Sequence, residues 1–311
     1  MLPELIQGIR AQSKLSISQA ISLIENNHED AAELLSGLHH YTGKAHKIGI
    51  TGPPGAGKSS LTDNLITAYR KLGKRVAVIA ADPSSPFSGG AVLGDRVRMT
   101  SHHSDSQVFI RSMATRGGQG GLAIKTQEVG EILDAAQFDV IIYETVGVGQ
   151  IELDVIQATD TVVVVLVPES GDEVQMLKAG LMEIGNIFVI NKADRPGANK
   201  LMITLKNFLS TLTIQDGSWM PQVIHTIATA NEGTTELVEL IEAHHTFNEK
   251  HGIQHKKLEE RYKRRVMELI KNDLMQDFWN DSKHKQLQYE LEMNHQDRKS
   301  PYTLANQLLS K

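Results

Sequence analysis

Residues Gly52-Pro53-Pro54-Gly55-Ala56-Gly57-Lys58-Ser59 fit the pattern G-x-x-x-x-G-K-[ST]. Their setting restricts the fold as much as the string does. Before the loop, His46 to Thr51 reads as a short buried strand. After it, Lys58 to Leu72 reads as a helix, with Leu61, Leu65, Tyr69 and Leu72 on one apolar face and Gly73 placed to stop it. Glycines let the backbone approach closely and take φ > 0. A strand, a glycine loop and a helix N-terminus then form a cup of N–H groups that favours a polyphosphate. The expected contacts run from Gly52 to Ser60. Lys58 is expected to reach the β- and γ-phosphates, and Ser59 to ligate Mg²⁺.

The remainder of the chain supports an α/β fold. Apolar runs predict strands at Lys47–Thr51, Arg75–Ala81, Gln107–Arg111, Val140–Glu144, Thr161–Val167, Ile187–Asn191 and Gln222–Thr226. Several are uninterrupted, as in a mostly parallel, doubly wound sheet covered on both faces. Residues 1–44 read as a helical extension, with a stripe of Leu15, Ile17, Ala20, Ile21 and Ile24 and a capping-box pattern at Ser16 and Gln19. A second helix is expected from Glu29 to His40, with Leu34, Leu35 and Leu38 inward. Residues 45–250 form the expected nucleotide domain. Residues 251–311 return to helix, with Leu258, Tyr262, Val266, Leu269, Ile270 and Leu274 along one long element. Ser300-Pro301 caps a last helix holding Leu304, Leu308 and Leu309. The terminal helices either cover sheet edges or carry an interface.

In such a sheet, ligands bind at the carboxyl ends of the strands. Asp82 and Glu144 close two of the strands on the edge that carries the loop, which makes them candidate direct or water-mediated Mg²⁺ partners. Glu144-Thr145-Val146-Gly147 has the shape of a switch in which the Gly147 N–H senses a γ-phosphate. Asn191-Lys192-Ala193-Asp194 follows a strand and fits a guanine reader. The Asp194 carboxylate would accept from N1–H and the 2-amino group, which adenine cannot offer. GTP/GDP and Mg²⁺ are the expected cofactors.

Longer segments carry a resemblance. Asp82-Pro83-Ser84-Ser85-Pro86 through Asp95-Arg96-Val97-Arg98-Met99, Arg111-Ser112-Met113-Ala114-Thr115-Arg116-Gly117 and Glu144-Thr145-Val146-Gly147-Val148-Gly149-Gln150 resemble the MeaB/ArgK family over essentially the whole chain. These are P-loop GTPases that act as chaperones of adenosylcobalamin-dependent acyl-CoA mutases. The resemblance implies that Asp82 and Asp95 belong to a first switch and Glu144 to a second. It implies that Pro168 to Lys178 form a third switch that meets the mutase. Ala228 would offer its N–H to the guanine O6. Ile227 and Asn231 depart from the family's usual serine and glycine, which bears on pocket geometry rather than base identity. Dimerisation through the C-terminal helices is a further implication.

Composition narrows the alternatives. A net charge of −5 and few aromatics argue against nucleic acid as the main partner. No run of 18 apolar residues predicts a membrane span. The absence of cysteine excludes thiolate metal sites and is compatible with a cytoplasmic location. Three other readings stay open. They are a nickel-type metallochaperone GTPase, an ATP-using kinase linked to arginine/ornithine transport, and a scaffold that binds nucleotide without turning it over. The first needs ligand clusters, whereas His39-His40, His102-His103 and His244-His245 read as surface histidines. Gln150 and Glu152 are candidates for placing the hydrolytic water. Slow intrinsic turnover, accelerated by a partner, is expected.

Overall fold

A strand that is apolar at every position has no solvent face and needs cover on both sides. The computed structural model meets that need; it describes residues 2–82, 102, 104–114, 121–145, 147, 156, 158–168, 181–211 and 217–310. The strands are β1 (His46–Thr51), β2 (Val76–Asp82), β3 (Val108–Ala114), β4 (Val140–Thr145), β5 (Thr161–Leu166), β6 (Ile187–Ile190) and β7 (Gln222–His225). They form one sheet in the order β3-β2-β4-β1-β5-β6-β7. Every neighbouring pair is parallel. β4 and β5 are buried throughout.

The helices of this unit are α1 (Leu2–Arg10), α2 (Lys14–Glu25), α3 (Ala31–Leu38), α4 (Lys58–Lys71), α5 (Gly121–Ala135), α6 (Leu181–Ile184), α7 (Ala198–Thr211) and α8 (Thr234–Lys250). Side chains alternate across the strands and sort onto two faces. Val76 and Val78 join Leu61 and Leu65 of α4 and Leu237 and Ile241 of α8. Ala77 and Ile79 face the other way, into a cluster with Ile132 and Leu133 of α5 and Ile17, Ile21 and Leu34 of α2 and α3. A third cluster sets α7 against β5 and β6 through Leu201, Leu205, Val164 and Phe188. The strand order reverses at β1, whose carboxyl end delivers the glycine loop.

Residues 1–254 form one compact unit and 255–311 a second. The second unit holds most of α9 (Ile253–Phe278), with α10 (Asp281–Glu292) and α11 (Pro301–Leu309). Within it, the buried Glu290 accepts from Lys299 Nζ (2.9 Å) and the Lys299 N–H (3.1 Å). Ser300 caps α11 by accepting from the Thr303 N–H at 3.1 Å. Among the described residues, no helix is long and apolar enough to cross a membrane.

Several local expectations are corrected. α2 is capped by Ser13, which accepts from the Ser16 N–H, so Ser16 lies inside the helix and does not start it. Leu15 is exposed, because it sits two residues before Ile17 and so on the opposite side of the helix from the buried stripe of Ile17, Ala20, Ile21 and Ile24. Leu72 is also exposed, as the C-cap of α4, and Gly73 takes the positive φ that ends the helix. β3 runs to Ala114 because it pairs with β2 along its full length, up to Asp82↔Ala114. In α11, Leu308 is buried whereas Leu309 is exposed. His244 is buried, and His245 stacks on the buried His46 at 4.1 Å, so this pair is not at the surface. The Thr161 hydroxyl sits 2.8 Å from both His46 Nε2 and His244 Nδ1. That network lies at the start of β1 and β5, the sheet end opposite the glycine loop.

Candidate nucleotide site

The glycine loop folds back over its own lysine. Lys58 is buried, and its Nζ donates to the carbonyls of Gly52 (2.8 Å) and Pro53 (3.1 Å). The ammonium is thereby held inside the loop, where a phosphate chain would exchange oxygens with those carbonyls. Pro54 and Gly55 form the exposed crest, and Ala56 is buried. Two glycines are required by the geometry. A Cβ at Gly52 would lie 2.1 Å from the Val165 carbonyl oxygen, and Gly57, the N-cap of α4, has φ +91°. Ser60 is exposed one residue past Ser59.

Glu144 is buried next to this loop. Its Oε1 accepts from the Ser59 hydroxyl at 2.5 Å. Register explains the meeting. Glu144 pairs with Ile50 of β1, two residues before the loop, and with Ala80 of β2, two residues before Asp82. Asp82 is the last residue of β2, so three adjacent strands end beside one another there. The Gly147 carbonyl accepts from the Thr51 and Thr145 hydroxyls at 3.3 and 3.1 Å, which ties the second residue past β4 to the end of β1. Asp95, Gln150, Glu152 and residues 169–178 of the expected third switch lie outside the described residues.

The segment expected to read a base is organised around Asn191, which is buried. Its Nδ2 donates to the Ala56 carbonyl at 2.8 Å. Its Oδ1 accepts from the Thr226 hydroxyl (3.1 Å) and the Ala228 N–H (3.0 Å). One side chain thus joins the glycine loop to the segment after β7. The Ala228 N–H, expected to face a guanine O6, is directed onto Asn191 in this structure. Lys192 has φ +58°, a conformation uncommon for lysine, and the Ala193 N–H to Thr226 carbonyl bond (3.1 Å) holds the turn there. Asp194 is exposed at its end. Asn231, at the position where glycine is usual, adopts φ +56°; asparagine tolerates that region better than most residues. Ile227 and Glu232 close the loop by exchanging two backbone bonds, of 3.1 and 3.2 Å.

Sequence reasoning gave no contact to four contributors. Thr51 and Thr226 read only as the ends of apolar strands, and Thr145 only as a position within the expected switch. Asn64, on α4, donates its side-chain amide to the Ala228 carbonyl at 2.8 Å. No motif marks it, because the partner lies 164 residues away in sequence.

The parallel sheet, the glycine loop at its reversal point and the buried Lys58 define a P-loop nucleoside-triphosphatase fold. The chain belongs to the family of Methylmalonyl Co-A mutase-associated GTPase MeaB, whose model matches residues 17–283. It is 49% identical over 273 residues to a candidate GTPase of Pyrococcus abyssi, covering 87% of this chain and 83% of that protein. It is 35% identical to the GTPase ArgK of Escherichia coli, covering 76% and 73% of the two chains. It is 34% identical to the mitochondrial methylmalonic aciduria type A homolog of Mus musculus, covering 75% of this chain and 59% of that one. Among solved structures, the LAO/AO transport system kinase is similar with a TM-score of 0.75 and 25% identity, over 99% of this chain and 96% of that one.

Proposed function

We propose that this chain is a Mg²⁺-dependent GTPase whose nucleotide state gates delivery of adenosylcobalamin to an acyl-CoA mutase of the methylmalonyl-CoA mutase kind. One observation carries the nucleotide reading. Asn191 bonds the phosphate loop and the base loop together, so a ligand with phosphates at one end and a base at the other fits one continuous site. Family membership supports the guanine preference and the mutase partner. Ser59 and Glu144 place two hard oxygen donors side by side, the set that Mg²⁺ selects. Bound there, Mg²⁺ would neutralise charge on the phosphates. Lys58 would trade its two loop carbonyls for phosphate oxygens, and the loop N–H groups would take the remaining negative charge. Asp194 would accept from the guanine edge. Asp95 and Gln150 belong to the proposed set as switch and water-placing residues, and slow unassisted turnover follows if the partner completes the site.

The second unit supports a homodimer. Taken by itself, its long helix exposes Tyr262, Met267, Leu269, Ile270 and Leu274, each at least half accessible. Apolar side chains in that density need a partner surface.

Calorimetric titration with GTP and ATP in Mg²⁺ tests the proposal. GTP is expected to bind at least about a hundredfold more tightly, and Asp194→Asn to weaken GTP while admitting xanthosine triphosphate. Unchanged GTP affinity in Asp194→Asn rejects the guanine assignment. A hydrolysis rate indifferent to added mutase rejects the chaperone role. The kinase reading has one observation on its side, the similarity to the LAO/AO transport system kinase; ATP preference in the same titration would select it.

A further inference from the structure

The segment that would contact the base is closed by backbone bonds between Ile227 and Glu232. Ile227 brings no side-chain hydrogen bond, and Ala228–Ala230 form a single 3₁₀ turn closed by Asn231, whose N–H reaches the Ala228 carbonyl at 3.3 Å. The Ala228 backbone is also gripped from outside, at both its N–H and its carbonyl. Asn191 Oδ1 takes its N–H at 3.0 Å, and Asn64 Nδ2 donates to its carbonyl at 2.8 Å. The two grips come from different elements. Asn191 follows β6, whereas Asn64 lies on α4, whose first turn holds Lys58 and Ser59.

We propose that Asn64 is a positioning residue for nucleotide recognition, fixing the Ala228 peptide and so linking the phosphate-binding helix to the base-binding loop. This rests on the nucleotide-site reading above. A carbonyl accepts and does not donate, so Asn64 meets it with its amide NH₂ and not its Oδ1, at 2.8 Å beside the longer Asn231 N–H bond of 3.3 Å. Asn64 touches neither the phosphate cradle nor, by its place on α4, the reacting atoms. Its loss should weaken ligands that carry a base and spare those that are phosphate alone.

The test measures Kd for GTP, GDP and inorganic tripolyphosphate, each with Mg²⁺, on the full chain and on two variants. Asn64→Leu removes one neutral hydrogen bond and should raise the GTP and GDP Kd values alike, by about fivefold. Asn64→Asp keeps the shape but sets a carboxylate against the carbonyl, and should raise both more, by about thirtyfold. Tripolyphosphate affinity should stay within twofold for both, roughly the scatter of such measurements. A merely space-filling Asn64 would make the isosteric Asp the milder change, which overturns the proposal. Equal losses for nucleotide and tripolyphosphate also overturn it, by assigning Asn64 to the phosphate helix. If the unaltered chain binds tripolyphosphate but no better with guanosine attached, the guanine-site reading fails first and takes this proposal with it.

Discussion

Gly57→Ala isolates the joint between the glycine loop and the loop after β7. The new Cβ would stand 2.2 Å from Asn191 Nδ2, and the backbone there has φ +91°. Forcing alanine into that left-handed region costs about 1–2 kcal/mol. Pushing the Asn191 amide aside forfeits its bonds to Ala56, Thr226 and Ala228, at about 1 kcal/mol each. The total comes to about 4–5 kcal/mol. In an Asn191→Ala background those three bonds are already gone and the obstacle is removed, so the same change should cost only the backbone share, about 1–2 kcal/mol. The coupling between the two sites is then about 3 kcal/mol. Urea unfolding of the four proteins measures it, followed through Trp219 of the first unit with Trp279 replaced by Phe. Additive costs, with a coupling below about 0.5 kcal/mol, refute the reasoning.

Acid should loosen α8 from the sheet. Burial lowers the His245 pKa and the neighbouring His46 lowers it further, against the opposing pull of Glu249, Glu242 and Asp160. The unfolded chain therefore binds that proton more readily, and stability falls as pH drops below the ordinary histidine range. Glu242 adds to the loss at lower pH. Its carboxyl is held below its usual range by His46 and Tyr69, so its stabilisation disappears as it protonates. His245→Phe keeps a ring on His46 and should flatten the unfolding midpoint between about pH 7 and pH 5.5; an unchanged slope counts against His245 as the source. Gly130→Ala would set a Cβ 1.8 Å from Tyr143 Oη and should destabilise by about 1–3 kcal/mol, with partial recovery in Gly130→Ala plus Tyr143→Phe by thermal melting.

The sheet was legible because its strands are short, apolar and buried on both faces. β1, β4 and β5 came within a residue or two of their observed ends. β3 was read three residues short, since Arg111-Ser112-Met113-Ala114 hides a strand whose cover comes from α2 and α5 rather than from its own hydrophobicity. The glycine loop was legible because it needs special φ values at fixed spacing. The Asn191 hub was visible only as a motif residue. Its bonds to Ala56 and Ala228 span 135 and 37 positions, and no local pattern encodes such a distance. The histidine network failed for the same reason. His46, Thr161 and His244 lie on three elements, and a doubled histidine on a charged helix gives no hint that one ring is buried.

The first three helices share their interior with the sheet. Ile17, Ile21, Ile24, Leu34 and Leu38 are buried in the cluster that also holds Phe138 and Tyr143. Arg111 of β3, an outermost strand, is bound by the Glu25 carboxylate, and Lys125 donates to the Glu25 carbonyl. A fragment trimmed to open at β1 would bare an oily stripe beside an unguarded strand, the pairing that recruits neighbouring molecules into aggregates. A shortened version of this protein that resists aggregation therefore keeps its first three helices.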